Sequence, residues 1–112
     1  MLELTADAVL LDRTAADWRD ALAQAGQALI AAELVETDYA DALFEREAQS
    51  STYLGNGIAI PHGTKPAARS VRQTGLRVLQ FPDGVTWHDG NEVCVIVTIA
   101  AGHSPNLGLN LM

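Results

Sequence analysis

Apolar and polar positions fall into two regimes along the chain. In RTAADWRDALAQAGQALIAAELV the apolar residues Trp18, Leu22, Ala25 and Leu29 recur at helical spacing and form one stripe. This predicts a helix over about 15–32, opened by a capping box in which Thr14 is followed by Asp17. A second helix is predicted from Thr37 or Asp38 to about Ala48, with Leu43 and Phe44 inward. Its Asp, Glu and Arg residues are expected on the outer face or at its end.

Beyond residue 50 the pattern is that of strands. NGIAIP is short, β-branched and bounded by Gly and Pro, which predicts a strand ending at Pro61. TGLRVLQFP alternates, with Leu76, Val78 and Gln80 on one face and Arg77, Leu79 and Phe81 on the other. DGVTWHDGNE reads as turns, because Asp83-Gly84 and Asp89-Gly90 favour tight reversals. EVCVIVTIAA is continuously apolar, as a central strand covered on both faces would be. Helices come first and strands of both kinds follow, so the expected fold is α/β, a mixed sheet flanked by helices. The last stretch, GHSPNLGLNLM, ends in apolar residues with no polar cap. A C-terminal helical portion is therefore expected to be missing, or its cover borrowed from a partner.

The 112 residues make one domain of about the commonest size. No apolar run approaches the roughly 18 residues of a membrane helix, and the first residues are acidic where a secretory leader would be basic. One cysteine, Cys94, excludes an internal disulfide framework and a Cys-rich zinc module. A cytoplasmic protein without direct membrane insertion is expected. Fourteen acids against seven bases give a net charge of −7, which argues against a nucleic-acid partner. The charge is unevenly placed. Residues 1–47 hold eleven acids and three bases, whereas residues 48–81 hold Lys65, Arg69, Arg72 and Arg77 and no acid. Such a stretch suits a small anion or a solvated face.

Three histidines, His62, His88 and His103, are spaced by 26 and 15 residues and match no metal motif; no metal and no organic cofactor is called for. Cys94 lies between Val93 and Val95 and reads as a buried, inert thiol. His88, beside Asp89, reads as a solvated turn residue. His62 has a different setting, after a strand and between Pro61 and Gly63. Gly63 permits close backbone approach, Thr64 adds a hydroxyl, and the amides of both can point at an anion. A structural loop histidine and a working one both remain open on these residues. A working imidazole here would have a ring nitrogen available to attack phosphorus near neutral pH. The protein's task would be to position the phosphoryl group and neutralise its oxygens, for which arginine is best suited. No Walker A loop is present, so direct nucleotide use is not indicated.

Three stretches, FEREAQSSTYLGNGIAIPHGT, TGLRVLQFPDGVTWHDG and IVTIAA, resemble the enzyme IIA domain of the fructose–mannitol class of the bacterial sugar phosphotransferase system. QFPDGVTW leans toward the fructose branch. The resemblance implies a single domain over residues 1–112 and a phosphorylated histidine within PHGT, here His62. It further implies that His62 takes a phosphoryl group from the phosphocarrier HPr and passes it to a cysteine of enzyme IIB, within the membrane-associated IIBC complex that takes up the sugar. Arg46 matches the arginine kept near the phosphohistidine, and Thr52, Gly63 and Thr64 match positions lining the same pocket. Where the family carries a second active-site histidine, this chain has Asn106, which can donate a hydrogen bond but cannot carry a proton as imidazole does. The family's domain also continues with further helices, so the chain reads as a truncated or diverged copy. Such departures leave a second expectation, a regulatory module of the nitrogen-regulatory kind that controls partners by its phosphorylation state.

Overall fold

The computed structural model describes residues 5–101. Its elements are β1 (Val9–Leu10), α1 (Trp18–Ala31), α2 (Tyr39–Gln49), β2 (Tyr53–Gly55), β3 (Ile58–Ala59), β4 (Gly75–Thr86) and β5 (Glu92–Ala100), with 3-10 turns at Ala6–Ala8 and Lys65–Ser70. The strands form one sheet in the order β1-β4-β5-β3-β2. β4 pairs antiparallel with β5, and β2 with β3, while β1–β4 and β3–β5 are parallel. The sheet is therefore mixed, and EVCVIVTIA is its centre, as its apolar run predicts.

Helix α1 packs on β4 and β5 and against α2. Its stripe buries Ala21, Leu22, Ala25, Gly26 and Leu29. Fully burying a leucine contributes about 1.5–3 kcal/mol, so Leu22 and Leu29 account for much of this helix's attachment. Gly26 sets the helix–helix distance: a Cβ there would lie 3.1 Å from Ala40 Cβ. The helix starts three residues later than the sequence suggests. Asp17, not Thr14, is the N-cap; its carboxylate accepts from the Asp20 amide at 2.9 Å, and Asp20 accepts from the Ala16 amide at 2.9 Å. The capping signal is shifted within a run that offers several capping residues.

Two turn signals also resolve differently from their first reading. Asn56 and Gly57 do not begin a strand. Both have positive φ (53° and 82°) and form the two-residue turn between β2 and β3, with Gly55 and Ile58 paired across it. Asn-Gly is the pair that a turn with two left-handed residues selects, and it makes a hairpin from what reads as a single strand. Conversely, Asp83-Gly84 does not end a strand. β4 continues to Thr86 through a bulge, with four residues between Gln80 and Val85 opposite the one between Val93 and Val95 on β5. The reversal lies further on, where Trp87 accepts from the Gly90 amide. Alternation along β4 holds: Leu79 and Phe81 are buried in the core. Cys94 is partly exposed on β5, so it is not the buried thiol expected. Among the described residues, no helix is long and apolar enough to cross a membrane.

Candidate active site

β3 runs parallel to β5, and the chain leaving β3 stays beside it. The Ile99 amide donates to the Pro61 carbonyl at 3.0 Å, and His62 forms an isolated parallel bridge with Ile99. His62 is thus held by backbone bonding at the C-terminal ends of two parallel strands, where open α/β sheets place ligands. Its Nδ1 lies 2.9 Å from the Ile60 carbonyl. A carbonyl oxygen only accepts, so Nδ1 carries a proton, and the tautomer this selects has its lone pair at Nε2.

A cleft of about 310 Å³ opens beside the ring, lined by Arg46, Gln49, His62, Gly63, Thr64, Lys65 and Pro66. Arg46 reaches it from the last turn of α2 and is largely buried. Its guanidinium donates to the Ser50 carbonyl and hydroxyl at 2.9 and 3.2 Å. The arginine therefore both closes the C-terminus of α2 and contributes a fixed cation to the cleft. Lys65 and Gln49 are lining residues that the sequence reading did not select. Lys65 belongs to the acid-free basic stretch, which was the available signal; nothing in the sequence singles out Gln49.

The other expected residues divide. Thr64 lines the cleft. Gly63 lines it too, but its amide is not available to an anion: it donates to the Tyr39 hydroxyl at 2.9 Å. Glycine is required at 63 by packing, because a Cβ there would lie 2.7 Å from the Tyr39 ring. Thr52 is buried and does not line the cleft. Its amide and hydroxyl donate to the two carboxylate oxygens of Glu47, at 2.8 and 2.7 Å. Asn106 and His103 lie outside the described residues.

The part Glu47 plays escaped the sequence reading. This carboxylate was expected on the outer face of α2 or at its end, and it lies near the end but is only 2% exposed. Oε2 also accepts from Trp87 Nε1 at 2.8 Å and from His88 Nε2 at 2.7 Å. His88 does lie in the turn and is exposed overall, as expected, but its ring is engaged: Nε2 donates to Glu47, and the ring meets Trp18 at a tilt with centroids 4.8 Å apart. Burial alone would push the Glu47 carboxyl up, but the hydrogen bonds from His88, Thr52 and Trp87 outweigh it and hold the group below its ordinary value. The buried carboxylate ties the end of α2, the start of β2 and the β4–β5 reversal together, one residue from Arg46.

The mixed α/β sheet presents an imidazole and a largely buried guanidinium to one small cleft, a charge and size suited to a compact anion. The chain belongs to the phosphoenolpyruvate-dependent sugar phosphotransferase system EIIA 2 family, whose model matches residues 3–109. A multiphosphoryl transfer protein of Vibrio cholerae is 47% identical over 109 residues, which cover 97% of this chain and 27% of that protein. The mannitol-specific phosphotransferase enzyme IIA component of Geobacillus stearothermophilus is 47% identical over 88 residues, 79% of this chain and 61% of that protein. This chain thus spans about a quarter of the length of the multiphosphoryl transfer relatives. Among solved structures, IIA mannitol from Escherichia coli superposes with a TM-score of 0.85 at 36% identity, covering 91% of this chain and 74% of that one. The Escherichia coli complex of enzyme IIA and phosphorylated enzyme IIB for mannitol gives 0.87 at 34% identity, covering 94% and 74%.

Proposed function

We propose that this chain is a phosphocarrier of the sugar phosphotransferase system, accepting a phosphoryl group on His62 from HPr and passing it to enzyme IIB. The observation that carries the proposal is the His62 tautomer: Nδ1–H is tied to the Ile60 carbonyl beside a cleft that also receives Arg46. Nε2 attacks phosphorus as the bond from phosphorus to the donor breaks, and the donor leaves with that electron pair. The proton remains at Nδ1, where the Ile60 carbonyl accepts it and stabilises the positive charge that the ring acquires. A protonated phosphoimidazole is a good leaving group, so the same contact serves onward transfer. Arg46 neutralises the phosphoryl oxygens, and Lys65 at the cleft edge adds positive charge as the donor approaches. Thr64 supplies a hydroxyl at the same rim.

Support for the partner comes from the solved complex of a similar IIA with phosphorylated IIB. QFPDGVTW supports fructose as the sugar class, and the mannitol-specific relative and solved structures support mannitol as the alternative. The likeness to transfer components, at up to 48% identity, favours carriage over the regulatory reading; the nitrogen-regulatory IIA protein of Neisseria meningitidis is 25% identical. The reading places the chain in the cytoplasm. Incubation with phosphoenolpyruvate, enzyme I and HPr should add the mass of one phosphate, and His62→Ala should add none. An unchanged wild-type mass, under conditions that phosphorylate a control IIA, refutes the proposal.

A further inference from the structure

We infer that Tyr39 is a positioning residue that sets His62 against Arg46 through its phenolic hydroxyl, an inference that rests on the phosphocarrier reading. The residues on either side of His62 are both tied to Ile99. On one side the Ile99 amide donates to the Pro61 carbonyl at 3.0 Å. On the other, the Gly63 amide donates to the Tyr39 hydroxyl at 2.9 Å, and that hydroxyl donates to the Ile99 carbonyl at 3.0 Å. The first tie is backbone only. The second passes through one side-chain oxygen, which is the only side-chain group in the circuit. Burial pushes the Tyr39 phenol up, against the hydrogen bonds from Gly63 and Ala101, so it keeps the proton it donates at neutral pH.

Tyr39 opens α2, and Arg46 follows seven residues later, two turns along the same face. Both side chains are buried, with Ala42 and Leu43 between them on that face. One rigid helix therefore carries the cation of the cleft at one end and the strap on the nucleophile's loop at the other. The strap also lies in ring contact: no Cβ fits at Gly63 without displacing the Tyr39 ring. The spacing of nucleophile and cation is set by the helix only while the hydroxyl holds the loop. A misplacement of about 1 Å in such a pair can cost on the order of a hundredfold in rate.

Tyr39→Phe keeps the ring and removes the strap. Single-turnover phosphorylation by phospho-HPr should slow about ten- to a hundredfold, with KM for phospho-HPr unchanged within about twofold, because Tyr39 is buried away from any docking surface. Arg46→Ala should slow the same step, and the double variant should be little slower than Arg46→Ala alone, since there is then no cation left to align. Gly63→Ala, which keeps the hydroxyl but pushes the loop off the ring, should reproduce the slow step and covers the case in which Tyr39→Phe folds poorly. A wild-type rate in either variant, or full additivity of Tyr39→Phe with Arg46→Ala, overturns the inference. Failure of the wild-type protein itself to accept phosphate would instead overturn the phosphocarrier reading.

Discussion

Removing the Glu47 carboxylate is expected to be the most damaging single change near the cleft that leaves His62 and Arg46 themselves intact. Four donors converge on it: the Thr52 amide and hydroxyl, Trp87 Nε1 and His88 Nε2. His88 is partly exposed, so water can replace its bond. Thr52 and Trp87 are buried, so in Glu47→Ala three donors lose their acceptor away from solvent. Each such group costs about 1–3 kcal/mol. Allowing for partial relaxation, the loss is about 4 kcal/mol, against a total stability of about 5–15 kcal/mol for a domain of this kind. At roughly 4–8 °C per kcal/mol, the midpoint should fall by on the order of 20 °C. Glu47→Gln keeps an oxygen for Trp87 and the Thr52 amide, and the Thr52 hydroxyl can turn to accept from the new NH2. It should lose only charge assistance, about 1–2 kcal/mol. Urea unfolding followed by tryptophan fluorescence measures both, since Trp18 and Trp87 flank the network. A Glu47→Ala protein within about 1 kcal/mol of wild type, or Gln as costly as Ala, would refute this reasoning, because three orphaned donors at about 1–3 kcal/mol each leave a larger loss even after partial relaxation.

Further outcomes follow from the same geometry. Arg46→Ala should lose about 1–2 kcal/mol with its two bonds to Ser50, leaving the protein folded, and slow phosphorylation of His62 by at least about tenfold, read by quenched-flow; an unaltered rate would remove Arg46 from the chemistry. Because the folded Glu47 carboxyl titrates below its ordinary value, its stabilisation is complete above the unfolded value of about 4.3 and is lost as pH falls through the lower folded value. The acid limb of the stability–pH curve should therefore flatten in Glu47→Gln, and an unchanged limb would mean that other carboxylates set it. Gly57→Ala, at φ +82° in the β2–β3 turn, should cost about 1 kcal/mol in urea unfolding with no effect on the His62 reaction; a silent substitution would argue against the left-handed turn.

Much of the fold can be read from short-range pattern. The Trp18, Leu22, Ala25, Leu29 stripe and the unbroken run at 92–100 report which faces meet the core, and both elements form where that pattern lies. The errors arise where one local signal has two structural solutions. Asn56-Gly57 turns a hairpin within a stretch that reads as a single strand, whereas Asp83-Gly84 is absorbed as a bulge inside a long one. His62, Arg46 and Thr64 are recognisable through the PHGT and Arg-Glu motifs, and the structure brings all three to one cleft. The roles of Glu47, although it belongs to the same Arg-Glu pair, and of Tyr39 are not recognisable in this way. Their partners lie up to 41 and 60 residues away, and a charged residue in a helix gives no sign in sequence that distant donors will bury it. Thr52 was placed in the pocket by the family resemblance, but its hydroxyl serves the Glu47 network instead.

The central claim is that His62 accepts phosphorus at the nitrogen opposite its tethered Nδ1–H. Phosphorus–nitrogen correlation NMR on the enzymatically phosphorylated, 15N-labelled protein tests it directly. The account predicts a single phosphorus resonance coupled to Nε2 of His62, with the Nδ1 proton retained. Coupling to Nδ1, or phosphate on any other residue, would contradict it.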